Sequence, residues 1–141
     1  MTENKKCRWV GSGLLVIVLI LSLYSMASGA LFIEQGERNG VAYATGGIGL
    51  EEREAMEKMA GNYSLKVELA ATSGSYLADI KVCITDMGGK KVFEYSTSDP
   101  WLYVDLAAGT YKITASFKQE SRMQEVKVDT GLKTVMFHWK R

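Results

Sequence analysis

A chain of 141 residues with 17 basic and 16 acidic side chains, one histidine and two cysteines has almost no net charge, and 47% of it is hydrophobic. That balance, without a basic stripe, leaves no electrostatic footprint for phosphate backbones and excludes nucleic acid as a partner class. The length accommodates one core and one domain.

The N-terminal stretch is an address. Lys5, Lys6 and Arg8 precede the apolar run over residues 14–23, and small residues fill positions 25–30. A basic flank, a short apolar core and a small-residue exit form the layout of a secretory signal peptide. Residues 1–30 are expected to be that peptide, cut after Ala27 or, preferably, after Ala30. The competing reading is a retained membrane anchor over residues 9–33, because no charged residue occurs between Trp9 and Ile33 and such a span crosses a hydrocarbon core. Cleavage is favoured because the dense apolar part ends at Leu23. Cys7 lies in the basic flank, so no cysteine stands at the exit to accept a lipid. Either way the remaining chain faces the periplasm or the exterior, and it meets a membrane only if the segment is uncleaved. Once Lys5, Lys6, Arg8 and Glu3 leave with the peptide, 14 basic and 15 acidic side chains remain. Cys83 is then the only cysteine, and no internal disulfide is possible.

Residues 31–49 are glycine-rich and without sustained periodicity, and read as an arm. Residues 50–60 are strong helix formers with Glu51 and Glu52 in the first turn and Gly61 as a stop, which predicts one short helix. Its apolar stripe is Ala55, Met56, Met59 and Ala60, with Glu51, Glu54 and Lys58 toward water. The expected organisation is therefore a signal peptide (1–30), an arm with a helix (31–62) and a β-domain (63–141).

Beyond Gly61 the pattern turns to period two. Strands are predicted over residues 63–70, 78–85, 91–96, 101–106, 110–118, 122–129 and 133–139, separated by Gly, Ser, Asp and Pro turns. Seven short strands at this spacing predict an all-β fold, a seven-stranded antiparallel β-sandwich. Alternation directs Leu65, Val67, Ile80, Val82, Leu106, Ile113 and Val135 inward, and puts Lys81, Cys83 and Thr85 on the opposite face.

Candidate chemistry is sparse. The loop Gly46-Gly-Ile-Gly49 before a helix suggests an anion cradle, but it has no P-loop lysine and leads into Glu51 and Glu52, so a joint is expected. Glu51, Glu52 and Glu54 read as a solvated helix face beside Arg53 and Lys58. His138 has no cysteine or acidic neighbour in sequence and cannot complete a zinc site alone. Neither catalytic residues nor cofactors are expected. The aromatic residues Tyr95, Trp101 and Tyr103 around Pro100 are the candidate ligand or partner surface, since the alternation in residues 101–106 turns Trp101 and Tyr103 away from Leu102, Val104 and Leu106. The competing reading is that Trp101 closes the end of the sandwich.

The stretch Leu106-Ala-Ala-Gly-Thr-Tyr-Lys-Ile-Thr-Ala-Ser-Phe117 resembles the carboxypeptidase regulatory-like family, in which a Leu-Pro-x-Gly-x-Tyr turn leads into a strand; Ala107 stands in place of the proline. Tyr76-Leu-Ala-Asp-Ile-Lys-Val82 and Thr85-Asp-Met-Gly-Gly-Lys90 are similar to that family's second strand and hairpin. In this turn the glycine permits tight backbone, and the tyrosine packs its ring on the core while its hydroxyl reaches backbone. The resemblance implies a transthyretin-like (prealbumin-like) sandwich of the small exported bacterial type. It implies a non-catalytic module, acting as a protein-binding or structural accessory in the cell envelope. The alternative is a carbohydrate-binding module that holds polysaccharide on Trp101 and Tyr103.

Overall fold

A tight hairpin opens the first sheet. β1 (Glu34–Arg38) and β2 (Val41–Gly46) are joined by Asn39 and Gly40, both at positive φ (52° and 77°), the backbone that two-residue hairpins with the strands' own twist require. The computed structural model describes residues 31–141, which form one compact unit; the expected signal peptide or anchor over residues 1–30 lies outside the described residues. The region read as an arm thus supplies two strands, and the described residues hold nine strands rather than seven.

After β2 comes the expected helix, α1 (Leu50–Met59), and a short 3-10 turn, Ala60–Asn62. The remaining strands are β3 (Leu65–Ala71), β4 (Ile80–Asp86), β5 (Lys91–Thr97), β6 (Trp101–Val104), β7 (Gly109–Phe117), β8 (Glu120–Val128) and β9 (Lys133–Trp139). One sheet has the order β1-β2-β6-β3-β9 and the other β5-β4-β7-β8. Pairing is antiparallel throughout except between β3 and β9. Those two run parallel in register from Leu65 opposite Lys133 to Ala71 opposite Trp139, which corrects the expectation of a wholly antiparallel sandwich. Strand pattern alone carries no information about which strand is a neighbour, and a parallel pair leaves the same period two.

The inner faces carry the core. Leu65, Val67, Ile80, Val82, Leu106, Ile113 and Val135 are all buried there as the alternation requires, together with Phe93, Leu102, Val104, Phe137 and Trp139. Tyr111 packs its ring into this core and donates its hydroxyl to the Ala107 carbonyl at 2.7 Å. Gly109 is not among the positive-φ glycines; it begins β7 in ordinary extended backbone, so its turn does not depend on left-handed geometry. At the open side between β8 and β9, the inward-facing Glu120, Arg122 and Gln124 of β8 are polar: Gln124 donates to the Met136 carbonyl, and Arg141 reaches Glu120 at 3.0 Å.

A second, smaller core lies on the outer face of the five-stranded sheet. α1 lays Met56 there, against Ala44 of β2 and Tyr103 of β6, all three fully or almost fully buried. Ile33, Met59, Ala60, Tyr63 and Trp101 pack around them. Glu51, Glu54 and Lys58 face water as expected.

Candidate functional site

The three aromatic residues singled out from the sequence do not form one surface. Trp101 and Tyr103 do point to the outer face of their sheet, with rings near-parallel (12°) and centroids 6.5 Å apart. That face, however, is covered: Tyr103 lies beneath α1 at 1% exposure, and Tyr63 packs against it at 5.6 Å. Trp101 is half-buried, with the Lys66 ammonium 3.4 Å from one ring centroid and the Arg53 guanidinium 5.6 Å away. Lys66 is held in place by Glu68 at 2.6 Å. Burial raises the pKa of the Tyr103 hydroxyl, with the charges of Glu57 and Glu68 adding to it.

Tyr95 belongs to the other sheet and faces inward. It packs on Tyr43 at 4.5 Å, with the Arg38 guanidinium 5.4 Å from its ring. Burial, then hydrogen bonding to Glu34, raises its pKa far above the usual tyrosine range. Tyr43 also donates to Glu34, at 3.2 Å. Tyr95 is therefore a lid on the β1/β5 side of the core. The reading of Tyr95, Trp101 and Tyr103 as a shared platform is corrected, because α1 covers Tyr103 and Tyr95 turns inward to pack on Tyr43.

The glycine loop is tied rather than loose. Glu52 Oε2 accepts the backbone N–H groups of Gly47 (3.1 Å) and Ile48 (3.2 Å), and Arg53 Nε donates to the Gly47 carbonyl at 2.7 Å. The donors that would cradle an anion are satisfied by the chain's own carboxylate. Beside this loop, Thr45 Oγ1 lies 2.7 Å from Thr97 Oγ1 and 3.2 Å from Asp99 Oδ2, and Asp99 N–H donates to Thr97 Oγ1 at 3.0 Å. Burial is the main cause raising the Asp99 pKa, against the Thr45 hydrogen bond that lowers it. This network staples β2 to the β5–β6 connection.

The same end of the sandwich gathers the exposed apolar side chains that sequence reasoning missed. Phe32 is 80% and Leu50 72% exposed, and Leu31, Ile48 and Tyr76 are also open. Leu31 and Phe32 line one open recess together with Ile33, Glu34 and Asp99. Glu34 pairs with Thr45, and Ile33 Cγ1 lies 3.3 Å from where a Cβ on Gly46 would stand. Tyr76 donates its hydroxyl to the Ile48 carbonyl at 2.8 Å, drawing the β3–β4 connection to this end. Leu50 opens α1 two residues beyond Ile48.

Elsewhere an open recess of about 550 Å³ is lined by Tyr76, Leu77, Asp79, Lys81, Phe117 and Lys118 among others, but Lys81 is engaged by Glu94 at 2.9 Å. Among the described residues no group of three or more His, Cys, Asp or Glu converges to hold a metal ion, and no helix is long and apolar enough to cross a membrane. Cys83 is half-buried on the outer face of the four-stranded sheet, opposite Glu94. No protein-family model matches this chain, and no curated protein matches it.

Proposed function

We propose that this chain is an exported, non-catalytic module of transthyretin-like, carboxypeptidase regulatory-like type that serves in the cell envelope as a protein-binding accessory. The observation that carries the reading is the set of exposed apolar side chains Leu31, Phe32, Ile48, Leu50 and Tyr76, of which Leu31 and Phe32 line one recess and Tyr76 is bonded to the Ile48 carbonyl. A monomeric domain that leaves several large apolar side chains exposed gains nothing in solution, whereas a partner that covers them gains the burial of each. The layout of residues 1–30 supports export, and the Tyr111 hydroxyl bond to Ala107 fits the turn on which the family resemblance rests.

Two measurements test it. Cell fractionation with N-terminal sequencing should find the protein outside the cytoplasm with a new start at Ser28 or Leu31; an intact Met1 in the membrane fraction would establish the anchor, and a cytoplasmic protein would refute export. A photoreactive residue at position 50, in producing cells, should yield a discrete protein adduct absent when the same residue is placed at 127 on β8. Retention of the domain by polysaccharide, lost in Trp101→Ala, would support the carbohydrate-binding reading instead.

A further inference from the structure

β1 is the terminal strand of the five-stranded sheet: all five of its residues are exposed, and among the described residues no strand pairs with its outer edge. The pairing with β2 determines which backbone groups that edge offers. In a two-residue hairpin the pair that closes the loop exchanges both hydrogen bonds, and bonded and non-bonded pairs then alternate along the ladder. Arg38 opposite Val41 is the closing pair here, so Gly36 and Glu34 also bond toward β2, while Gln35 and Glu37 turn their N–H and C=O groups outward.

We propose that β1 pairs antiparallel with β1 of a second copy, about a two-fold axis at Gly36, joining two five-stranded sheets into one. In this register each outward-facing residue finds its match: Gln35 meets Glu37 of the other copy, and the four outward donors and acceptors of each strand form four backbone hydrogen bonds. Side chains fit as well. Glu34 lies opposite the other copy's Arg38 at both ends of the pair, an opposite-charge cross-strand contact made twice. Gln35 lies opposite Glu37, an amide beside a carboxylate. Glycine meets glycine on the axis, where Tyr43 already fills the space above: a Cβ on Gly36 would stand 2.9 Å from the Tyr43 hydroxyl. A register centred on Glu37 would instead oppose two carboxylates. Charged edge residues normally discourage strand addition; here Glu34 and Arg38 each find an opposite charge in a copy running in the opposite direction.

This goes beyond the partner-binding reading. A chain that stays monomeric could still hold a partner through Phe32 and Leu50, and a dimer could form without one. The test uses the full chain in nonionic detergent with reductant present, so that Cys7 and Cys83 form no cross-links, and sedimentation velocity as the readout. Wild type should sediment as a dimer whose population falls as salt screens the Glu34 and Arg38 contacts. Glu34→Arg alone and Arg38→Glu alone should each lose the dimer, since each brings like charges together at both ends. Mixing the two variants should restore it as a heterodimer, because the two basic side chains at positions 34 and 38 of the first variant then face the two acidic ones at positions 38 and 34 of the second. Glu37→Pro removes an outward N–H without touching the bonds to β2, and should abolish the dimer while the circular dichroism spectrum is unchanged. A monomeric wild type, dimeric single variants, or a mixture that stays monomeric would each overturn the proposal.

Discussion

The ammonium of Lys66 on β3 lies 3.4 Å from the ring centroid of Trp101 on β6, and Trp101 is thereby taken up in the fold's own packing rather than held open for a ligand. A cation at this distance over a tryptophan face contributes about 0.5–2 kcal/mol, more as the pair is desolvated. A double-mutant cycle with Lys66→Met and Trp101→Leu, read by chemical denaturation, should return a coupling energy in that range. Additive effects would show that the two side chains do not interact.

The strand faces predict a contrast within β4. Ile80 is buried to 1% exposure, whereas Lys81 and Cys83 lie on the outer face. Ile80→Ala should cost about 2–5 kcal/mol through lost burial and the cavity it leaves. Cys83→Ala should cost much less, and equal losses in urea denaturation would show the faces to be reversed.

Two glycines should respond differently to Ala. Gly36→Ala places a Cβ 2.9–3.0 Å from the Tyr43 ring and hydroxyl, and that ring is itself packed on Phe93 and Tyr95. A loss of about 1–3 kcal/mol is expected from that overpacking. At Gly109 a Cβ meets the Tyr111 ring at an ordinary 3.6 Å and the backbone is not left-handed. Thermal melts should find Gly109→Ala within about 1 kcal/mol of wild type, helped by the smaller freedom of its unfolded chain.

Glu94 sets part of the acid limb of stability. Hydrogen bonds from Lys91 and Lys81 lower its pKa from the ordinary 4.5 to about 2. A carboxylate lowered in the folded state stabilises the fold above its ordinary pKa, and that contribution is lost as pH falls through the interval from 4.5 toward 2. Glu94→Gln should flatten the stability profile across that interval and leave the neutral plateau lower. An NMR titration of wild type should place the Glu94 midpoint near the lower end; a midpoint at its ordinary value would show that the lysines do not engage it in solution.

Much of the sandwich was legible because one-sided burial writes itself into sequence. Leu65, Val67 and Leu69 alternate with Ser64, Lys66 and Glu68, and β4, β7 and β9 follow the same rule. β2 does not, because α1 covers its outer face: Ala44 is as buried as Tyr43 and Thr45, and small residues on both sides erase the contrast. The Asn39-Gly40 pair was nevertheless a hairpin signal in plain view, muted by the charged, glycine-centred strand that precedes it. For Trp101 and Tyr103 the alternation identified the correct face but not its cover. Whether an outward aromatic meets water or a helix depends on where Met56 is laid down, a tertiary fact with no local signature. The exposed apolar side chains had no joint signal either, since Phe32 precedes β1, Leu50 opens α1 and Tyr76 lies in the β3–β4 connection.

The most direct test of the functional account compares those exposed side chains with Trp101 in producing cells. With the photoreactive residue at position 50, Phe32→Ser together with Tyr76→Ser should remove the protein adduct while leaving the denaturation midpoint close to wild type, because both side chains are exposed. Trp101→Ala should weaken the fold yet retain the adduct at temperatures where the domain stays folded. An adduct that survives loss of Phe32 and Tyr76 but disappears in folded Trp101→Ala would contradict the account and return the binding surface to the aromatic face of β6.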